Sequence, residues 1–377
     1  MKNNFEMNKN KKIAIVIGTK AELIKCMPIM IELQKRKISY WFIHTGQHSL
    51  QMACEGFGIK KPDIILSKEP KKETKFWSKV NKFSLLWFFS MIFKVKKKIR
   101  EIKPSYVIYH GDTMSTSAAS IGSSNLLNHN KNWKNVHLEA GLRSGYLFEP
   151  FPEEISRQIS DYFSDILLAV SNETKKILEK KYPKKQVIKT GNTVVDSSLM
   201  VYDKAKKNKK LLKKEYVLIN VHRHENLQNK KRLSDIVEII KSIKIDSIWP
   251  LHENTKHYLE KYGLLNELKE KKNLKITPLI SYEEFIFLMA NCKYLVTDGG
   301  SIQEESLVFK KPCIILRKAT ERQEGLSTGI NFLTKLNVDY AKDIIESLEK
   351  NKLKIKAFKN PYGEKGLSKK IVDILMK

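Results

Sequence analysis

Two kinds of residue in this 377-residue chain are spaced for chemistry, and the first kind is acidic or imidazole groups that close apolar runs. Residues 106–112 (YVIYHGD) end in His110 and Asp112, and 135–139 (NVHLE) end in Glu139. The C-terminal ends of strands line the ligand crevice of an open α/β sheet, which makes these positions fit for proton transfer. Two such carboxylates are harder to explain as solvated surface than one. Residues 216–221 (YVLINV) lead in the same way into His222, and a histidine at a strand mouth suits general acid or base work. His222 and His224 could share a metal. No third and fourth ligand stands at a recognisable spacing, so zinc is not expected.

The second kind is a seat for an anion. Residues 295–325 (LVTDGGSIQEESLVFKKPCIILRKATERQEG) read as a buried strand, a glycine turn, a helix, a second buried strand and a charged loop. A Gly299-Gly300-Ser301 turn that opens a helix offers unpaired N–H groups and the positive end of the helix dipole, which is a seat for phosphate. Glu304 and Glu305 fall in the first helical turn, where a carboxylate is favoured and can accept hydrogen bonds from sugar hydroxyls. Arg322, in the loop after the next strand, is expected to face the same seat. The plain alternative is ordinary loop glycines and glutamates that only cap the helix.

These groups need elements to position them. Residues 12–18 (KIAIVIG) form an apolar run of strand length, and Gly18-Thr19-Lys20-Ala21-Glu22 then turns into a helix. This turn is neither GxGxxG nor a Walker loop. Lys20 and Lys25 lie near it, and taken alone they read most simply as solvated lysines. Pro152-Glu153-Glu154 opens another helix, with Arg157 placed for an i,i+4 pair with Glu153. Strands alternate with helices on both sides of Lys189-Thr190-Gly191-Asn192, a segment that reads as a hinge. The expected fold is α/β: two doubly wound parallel-sheet, Rossmann-like domains with a cleft between them. The expected boundaries are 1–191 for the domain carrying the carboxylates and 192–361 for the second domain, with 362–377 a helix packing back on the first.

Composition narrows the function classes. The net charge of +29 suggests nucleic acid, an anionic membrane surface or a phosphorylated substrate. Most of it is diffuse lysine without interleaved aromatics, so no nucleic-acid partner is expected. The four cysteines (Cys26, Cys54, Cys292, Cys313) are scattered in apolar runs, which fits a reducing cytoplasm better than a disulfide framework. Residues 1–10 are polar and expected to fray, with no apolar signal-peptide core. Residues 83–93 (FSLLWFFSMIF) are too short to span a bilayer, which takes about 20 residues. With lysines at 79, 82, 94 and 96–98 this run could touch a membrane surface; a core or dimer-interface helix is the preferred reading.

Taken together, the motifs KIAIVIGTKAELIK, HGDT, HLEAGLRSG, PEEISRQ, TGNTVVD, VHRHEN, DGGSIQEE, TERQEG and NPYGEKG, in this order, resemble the non-hydrolysing UDP-N-acetylglucosamine 2-epimerases over nearly the whole chain. That family has GT-B-type architecture. The resemblance implies a catalytic set of Asp112, Glu139, Glu153 and His222. It implies substrate contacts from Lys20, Lys25, Arg143, Phe285 (bordering uracil), Gly299, Gly300, Ser301, Glu305 and Arg322. No cofactor or metal is implied, and a cytoplasmic homodimer is. Three motifs depart from the family pattern. GTKAE stands for GTRPE, DGGS for DSGG and ERQE for ERPE, so the differences fall on the nucleotide seat and spare the carboxylates and histidine.

The implied reaction is inversion at C2 of a UDP-2-acetamido sugar, UDP-GlcNAc to UDP-ManNAc, through elimination of UDP to a 2-acetamidoglucal and re-addition, as a step toward cell-surface polysaccharide. Three competing readings remain: a hydrolysing epimerase releasing UDP and N-acetylmannosamine, a GT-B glycosyltransferase, and, on charge alone, a nucleic-acid binder. The sequence leaves the sugar open among GlcNAc, a fucosamine and a diacetamido uronic acid.

Overall fold

The computed structural model describes residues 12–68, 82–145 and 152–377. The expected fraying of residues 1–10 and the lysine at 79 lie outside the described residues, as does the side chain of Lys82. The chain divides into two compact units, one running to Ser197 and taking in Tyr362–Lys377, the other spanning Ser198–Pro361.

The first unit is built on β1 (Ile13–Ile17), β2 (Tyr40–His44), β3 (Ile64–Ile65), β4 (Tyr106–His110), β5 (Lys134–Ala140), β6 (Ile166–Ala169) and β7 (Gln186–Lys189). All pair in parallel in the order β3-β2-β1-β4-β5-β6-β7. Every residue of β1 is buried, as an unbroken apolar run requires when helices cover both faces of a sheet. Ala14, Val16, Val107 and Tyr109 pack with Met91 and Val95 of the long helix Lys82–Ile102.

The second unit carries β8 (Tyr216–Asn220), β9 (Asp246–Leu251), β10 (Leu274–Pro278), β11 (Tyr294–Thr297), β12 (Cys313–Ile315) and β13 (Asn331–Leu333), also parallel, in the order β10-β9-β8-β11-β12-β13. Val217, Ile219, Trp249 and Val296 form its core with Ile236 and Ile240 of the helix Lys230–Ser242.

Strand order reverses between β1 and β4 in the first sheet and between β8 and β11 in the second. A crevice opens at the C-terminal ends of strands at such a switch point. Among the helices that frame these points, α1 (Lys20–Lys35), α2 (Lys82–Ile102), α3 (Met114–Gly122), α4 (Glu153–Phe163), α5 (Val194–Ala205), α6 (Tyr282–Asn291), α7 (Ser301–Val308) and α8 (Leu367–Leu375) matter below. Asp196 anchors α8: its carboxylate accepts the N–H groups of Gly366 and Ser368, both at 2.7 Å, and the Ser368 hydroxyl at 2.6 Å. All four cysteines are buried free thiols, and burial raises Cys292 to about 12.

Two sequence expectations shift by one or two residues. The run 106–112 does not stay extended to Asp112, because Gly111 turns left-handed (φ +76°) after His110. Asp112 therefore stands in the turn beyond β4. Nor does Glu139 close its strand. It sits in a bulge between Leu138 and Ala140 with φ +64°, a conformation disfavoured for a side chain of its size.

Candidate functional site

In the first unit the turn after β1 is organised by a buried glutamate. Thr19 caps α1 in a capping box with Glu22, whose carboxylate accepts the N–H groups of Gly18 and Thr19, both at 2.7 Å. The other carboxylate oxygen accepts the hydroxyls of Thr113 and Thr116 at 2.5 and 2.6 Å. Glu22 thus ties the β1–α1 turn to the turn that carries Asp112. Burial raises its pKa, and these hydrogen bonds offset part of the rise.

One turn further along α1, Lys25 is buried rather than solvated. Its Nζ lies 2.5 Å from Glu139 Oε2, which also accepts from Asn192 Nδ2 at 2.7 Å, and His110 Nε2 stands 3.8 Å away. A strained backbone and a buried cation together aim Glu139, an arrangement found where strain serves function.

Asp112 pairs with the fully buried Arg157, whose other terminal nitrogen binds Glu154 at 2.6 Å. The expected surface pair from Glu153 to Arg157 is therefore replaced. At i,i+3 Glu154 faces inward with Arg157, while Glu153 opens α4 half-buried. Burial alone would lower the Arg157 pKa, but Asp112, Glu154, Glu139 and Asp161 carry it above its ordinary value. The guanidinium is a fixed positive centre beneath the carboxylates.

A second buried network supports the first. His137 on β5 lies with Nδ1 2.7 Å from Asp161 Oδ1 and Nε2 2.7 Å from the Gly111 carbonyl oxygen, and Arg143 binds the second oxygen of Asp161 at 2.5 Å. Burial would raise the Asp161 pKa, yet His137 and Arg143 hold it below the usual range. Arg143, expected to touch substrate, is thus engaged by Asp161. Lys20 is exposed at the first position of α1.

In the second unit Asp298, the first residue of the DGGS turn, is buried. It accepts the backbone N–H groups of His222 and Arg223, at 3.0 and 2.9 Å, and Asn226 Nδ2 at 3.0 Å. One carboxylate therefore joins the turn after β8 to the turn after β11. His222 Nδ1 donates to Asn220 Oδ1 at 2.9 Å, which leaves Nε2 to act on a ligand, and the ring stacks on His252. Packing lowers the His222 pKa, and Asp298 opposes that only in part.

The glycine turn meets Arg322 as expected. A Cβ on Gly300 would stand 3.0 Å from Arg322 Nη1, so the guanidinium lies tightly against the backbone there and would have to shift by a few tenths of an ångström to admit a side chain. Arg322 also pairs with Glu321 and approaches Glu304 at 3.3 Å, and Glu321 binds Arg317 at 3.0 Å. Burial and the repulsion of Arg223 and Arg322 push the Arg317 pKa down to about 9. The cluster sets Arg322 beside the glycine turn at the N-terminus of α7, where Ser301 begins the helix. Glu305 accepts the Tyr282 hydroxyl at 2.7 Å. Phe285, on α6, is buried with 9% of its surface left open, so any contact with a base runs through that edge.

The structure thus gathers Asp112, Glu139, Lys25 and Arg143 in linked buried ion-pair networks of the first unit, with Glu153 at the start of α4. It brings His222, Gly299, Gly300, Ser301 and Arg322 to one face of the second. Sequence reading missed Glu22, His137, Asn192, Asp298 and Arg317. Each lies inside a quoted stretch; burial marks them, and burial of a polar side chain has no local signature. Among the described residues no group of three or more His, Cys, Asp or Glu side chains could hold a metal.

Known proteins resemble this chain over its length. The family model described as UDP-N-acetylglucosamine 2-epimerase matches residues 31–376. A UDP-N-acetylglucosamine 2-epimerase from Methanocaldococcus jannaschii is 32% identical, covering 97% of this chain and 98% of the relative. A UDP-2,3-diacetamido-2,3-dideoxy-D-glucuronate 2-epimerase from Pseudomonas aeruginosa is 30% identical, covering 89% and 90%. The crystal structure of the M. jannaschii UDP-GlcNAc 2-epimerase in complex with UDP-GlcNAc and UDP superposes with a TM-score of 0.82 at 32% identity, covering 97% of this chain and 99% of that one.

Proposed function

The chain belongs to the UDP-N-acetylglucosamine 2-epimerase family, isomerases of GT-B-type architecture, and from that premise we propose that it inverts C2 of UDP-GlcNAc to give UDP-ManNAc without hydrolysis. The observation that carries the reading is the placement of Glu139 in a left-handed bulge near the C-terminal end of β5, held by Lys25, with its Oε1 3.7 Å from where a Cβ on Gly111 would stand, next in the chain to Asp112 on its Arg157 support. Such a set suits removal of a weakly acidic proton from carbon.

In the proposed reaction a carboxylate of the Asp112, Glu139, Glu153 group takes the C2 proton. The C2–H electron pair becomes the C1–C2 double bond, and the C1–O bond breaks with its pair leaving on UDP. UDP oxygen then adds back at C1 while a proton reaches C2 from the opposite face. The steps balance without oxidant or reductant. The N–H groups of the Gly299-Gly300-Ser301 turn, with Arg322, are proposed to stabilise the charge that grows on the diphosphate. His222 would contact the phosphate or relay the proton. Lys20, Lys25, Arg143, Phe285 and Glu305 complete the proposed substrate contacts, and Gly191 is the proposed hinge of a closure that keeps water from the glycal.

Proton NMR of UDP-GlcNAc with the enzyme in D2O tests this. Deuterium at C2 with a new UDP-ManNAc anomeric signal is expected. Accumulation of free UDP would instead identify a hydrolysing enzyme, and absence of exchange for this sugar and its diacetamido and fucosamine relatives would reject epimerisation.

We also propose a cytoplasmic homodimer joined through α2, serving cell-surface polysaccharide synthesis. Phe83, Leu86, Phe89 and Phe93 are more than half exposed along one side of that helix, an apolar stripe that a second copy would cover. Mass photometry of the wild type and of Phe89→Glu reads the state directly. No described helix is long and apolar enough to cross a membrane.

A further inference from the structure

Asn192 occupies a junction that the reaction scheme above does not use. Its side chain spans two groups of opposite character: Oδ1 accepts the N–H of Val194 at 3.1 Å, at the start of α5, and Nδ2 donates to Glu139 Oε2 at 2.7 Å. The orientation of the amide is therefore fixed. A backbone N–H can only donate, so the oxygen must face Val194 and the NH2 must face the carboxylate. The residue is buried, and its own N–H donates to the Tyr362 carbonyl at 2.9 Å.

Two of these contacts, to Val194 and to Tyr362, lead to the two places where the chain passes between units. The outward passage, at Ser197–Ser198, lies within α5; the return, at Pro361–Tyr362, ends on the residue that Asn192 binds. Gly191 has φ +90°, and a Cβ there would lie 2.6 Å from the Tyr362 carbonyl oxygen, so the return segment is seated tightly against this turn.

We infer that Asn192 is a positioning residue, which fixes the Glu139 carboxylate against Lys25 and couples its orientation to both chain passages. This rests on Glu139 acting in the proposed epimerisation. The charged and titratable groups around Glu139 include Lys25 and Cys26 from α1, His110 from β4 and Arg157 from α4. Asn192 adds a neutral donor that holds the ionised form of Glu139 in place without competing for its proton.

Asn192→Asp separates this role from simple capping, because it keeps an acceptor for Val194 and removes the donor to Glu139. The expected result is a fall in kcat of about 30-fold with KM changed by less than about threefold, as displacement of a catalytic group without loss of binding predicts. The acid limb of the pH–kcat profile should move to higher pH, since a donor to the ionised carboxylate is lost. Asn192→Ala, which loses both contacts, should show the same kinetic change with a lower Tm. A crystal structure of Asn192→Asp should show the Glu139 carboxylate moved off Lys25. If kcat stays within about twofold of wild type, or Glu139 keeps its place in that crystal, the inference is overturned. The crystal arm holds whatever the reaction proves to be, so a wild type that fails to exchange C2 would refute the epimerase reading while this contact is still judged.

Discussion

Lys25 Nζ and Glu139 Oε2 lie 2.5 Å apart, with the two side chains 8% and 2% exposed, and they join a helix to a strand 114 residues further along the chain. A pair this deeply buried is worth little as a stabiliser relative to apolar residues, but breaking it leaves one charge without a partner. Lys25→Met should therefore destabilise the protein by about 3–5 kcal/mol in urea denaturation and reduce kcat at any substrate concentration. A variant of full stability would show that Glu139 finds another cation.

His222 supplies a pH test with a defined sign. Its imidazole is held below the ordinary value of about 6.5 by the packing around it. The folded chain thus binds this proton less readily than the unfolded one. The associated stability is present above about pH 6.5 and is lost as pH falls below it toward the depressed folded value. Thermal melts of wild type and His222→Asn between pH 5 and 8 should diverge most at pH 8 and converge toward pH 5.

Arg322 and the glycine turn should govern nucleotide affinity as well as turnover. Arg322→Ala is expected to weaken UDP binding, measured by calorimetry on the whole chain, by about 10-fold to 100-fold, the loss of a charge-assisted contact to phosphate. Arg322→Lys should recover only part of it, because a single ammonium cannot reproduce the fork of a guanidinium. UDP affinity equal to wild type in both would remove Arg322 from the seat.

Gly191 and Gly366 form a matched pair for backbone strain. Both have positive φ, +90° and +102°, but a Cβ at 191 would meet the Tyr362 carbonyl oxygen at 2.6 Å and one at 366 meets nothing within 4 Å. Gly366→Ala should cost about 1 kcal/mol from φ alone, and Gly191→Ala distinctly more. Equal costs by equilibrium unfolding would mean that the return segment yields freely.

Much of this protein was legible before folding was considered. Unbroken apolar runs such as 13–17 and 216–219 read as parallel strands covered on both faces, and the order of strands and helices fixes the α/β class. The motifs at 110–113, 139–143, 222–226 and 298–301 mark strand ends, where a sheet of this kind presents its ligand groups. Those signals are local, and sequence carries local signals well. What only the tertiary structure decided is which polar groups are buried and whom they meet. Lys25 reads as solvated until α1 lays it against β5. Arg157 reads as the partner of Glu153 until α4 turns it toward Glu154 and Asp112. Asp298 and Asn192 serve backbone groups at sequence separations of 76 and 170 residues, and no spacing rule reaches that far. The physical reason is desolvation. A charge or amide taken out of water must find its complement in space, and that complement exists only once the chain has closed around it.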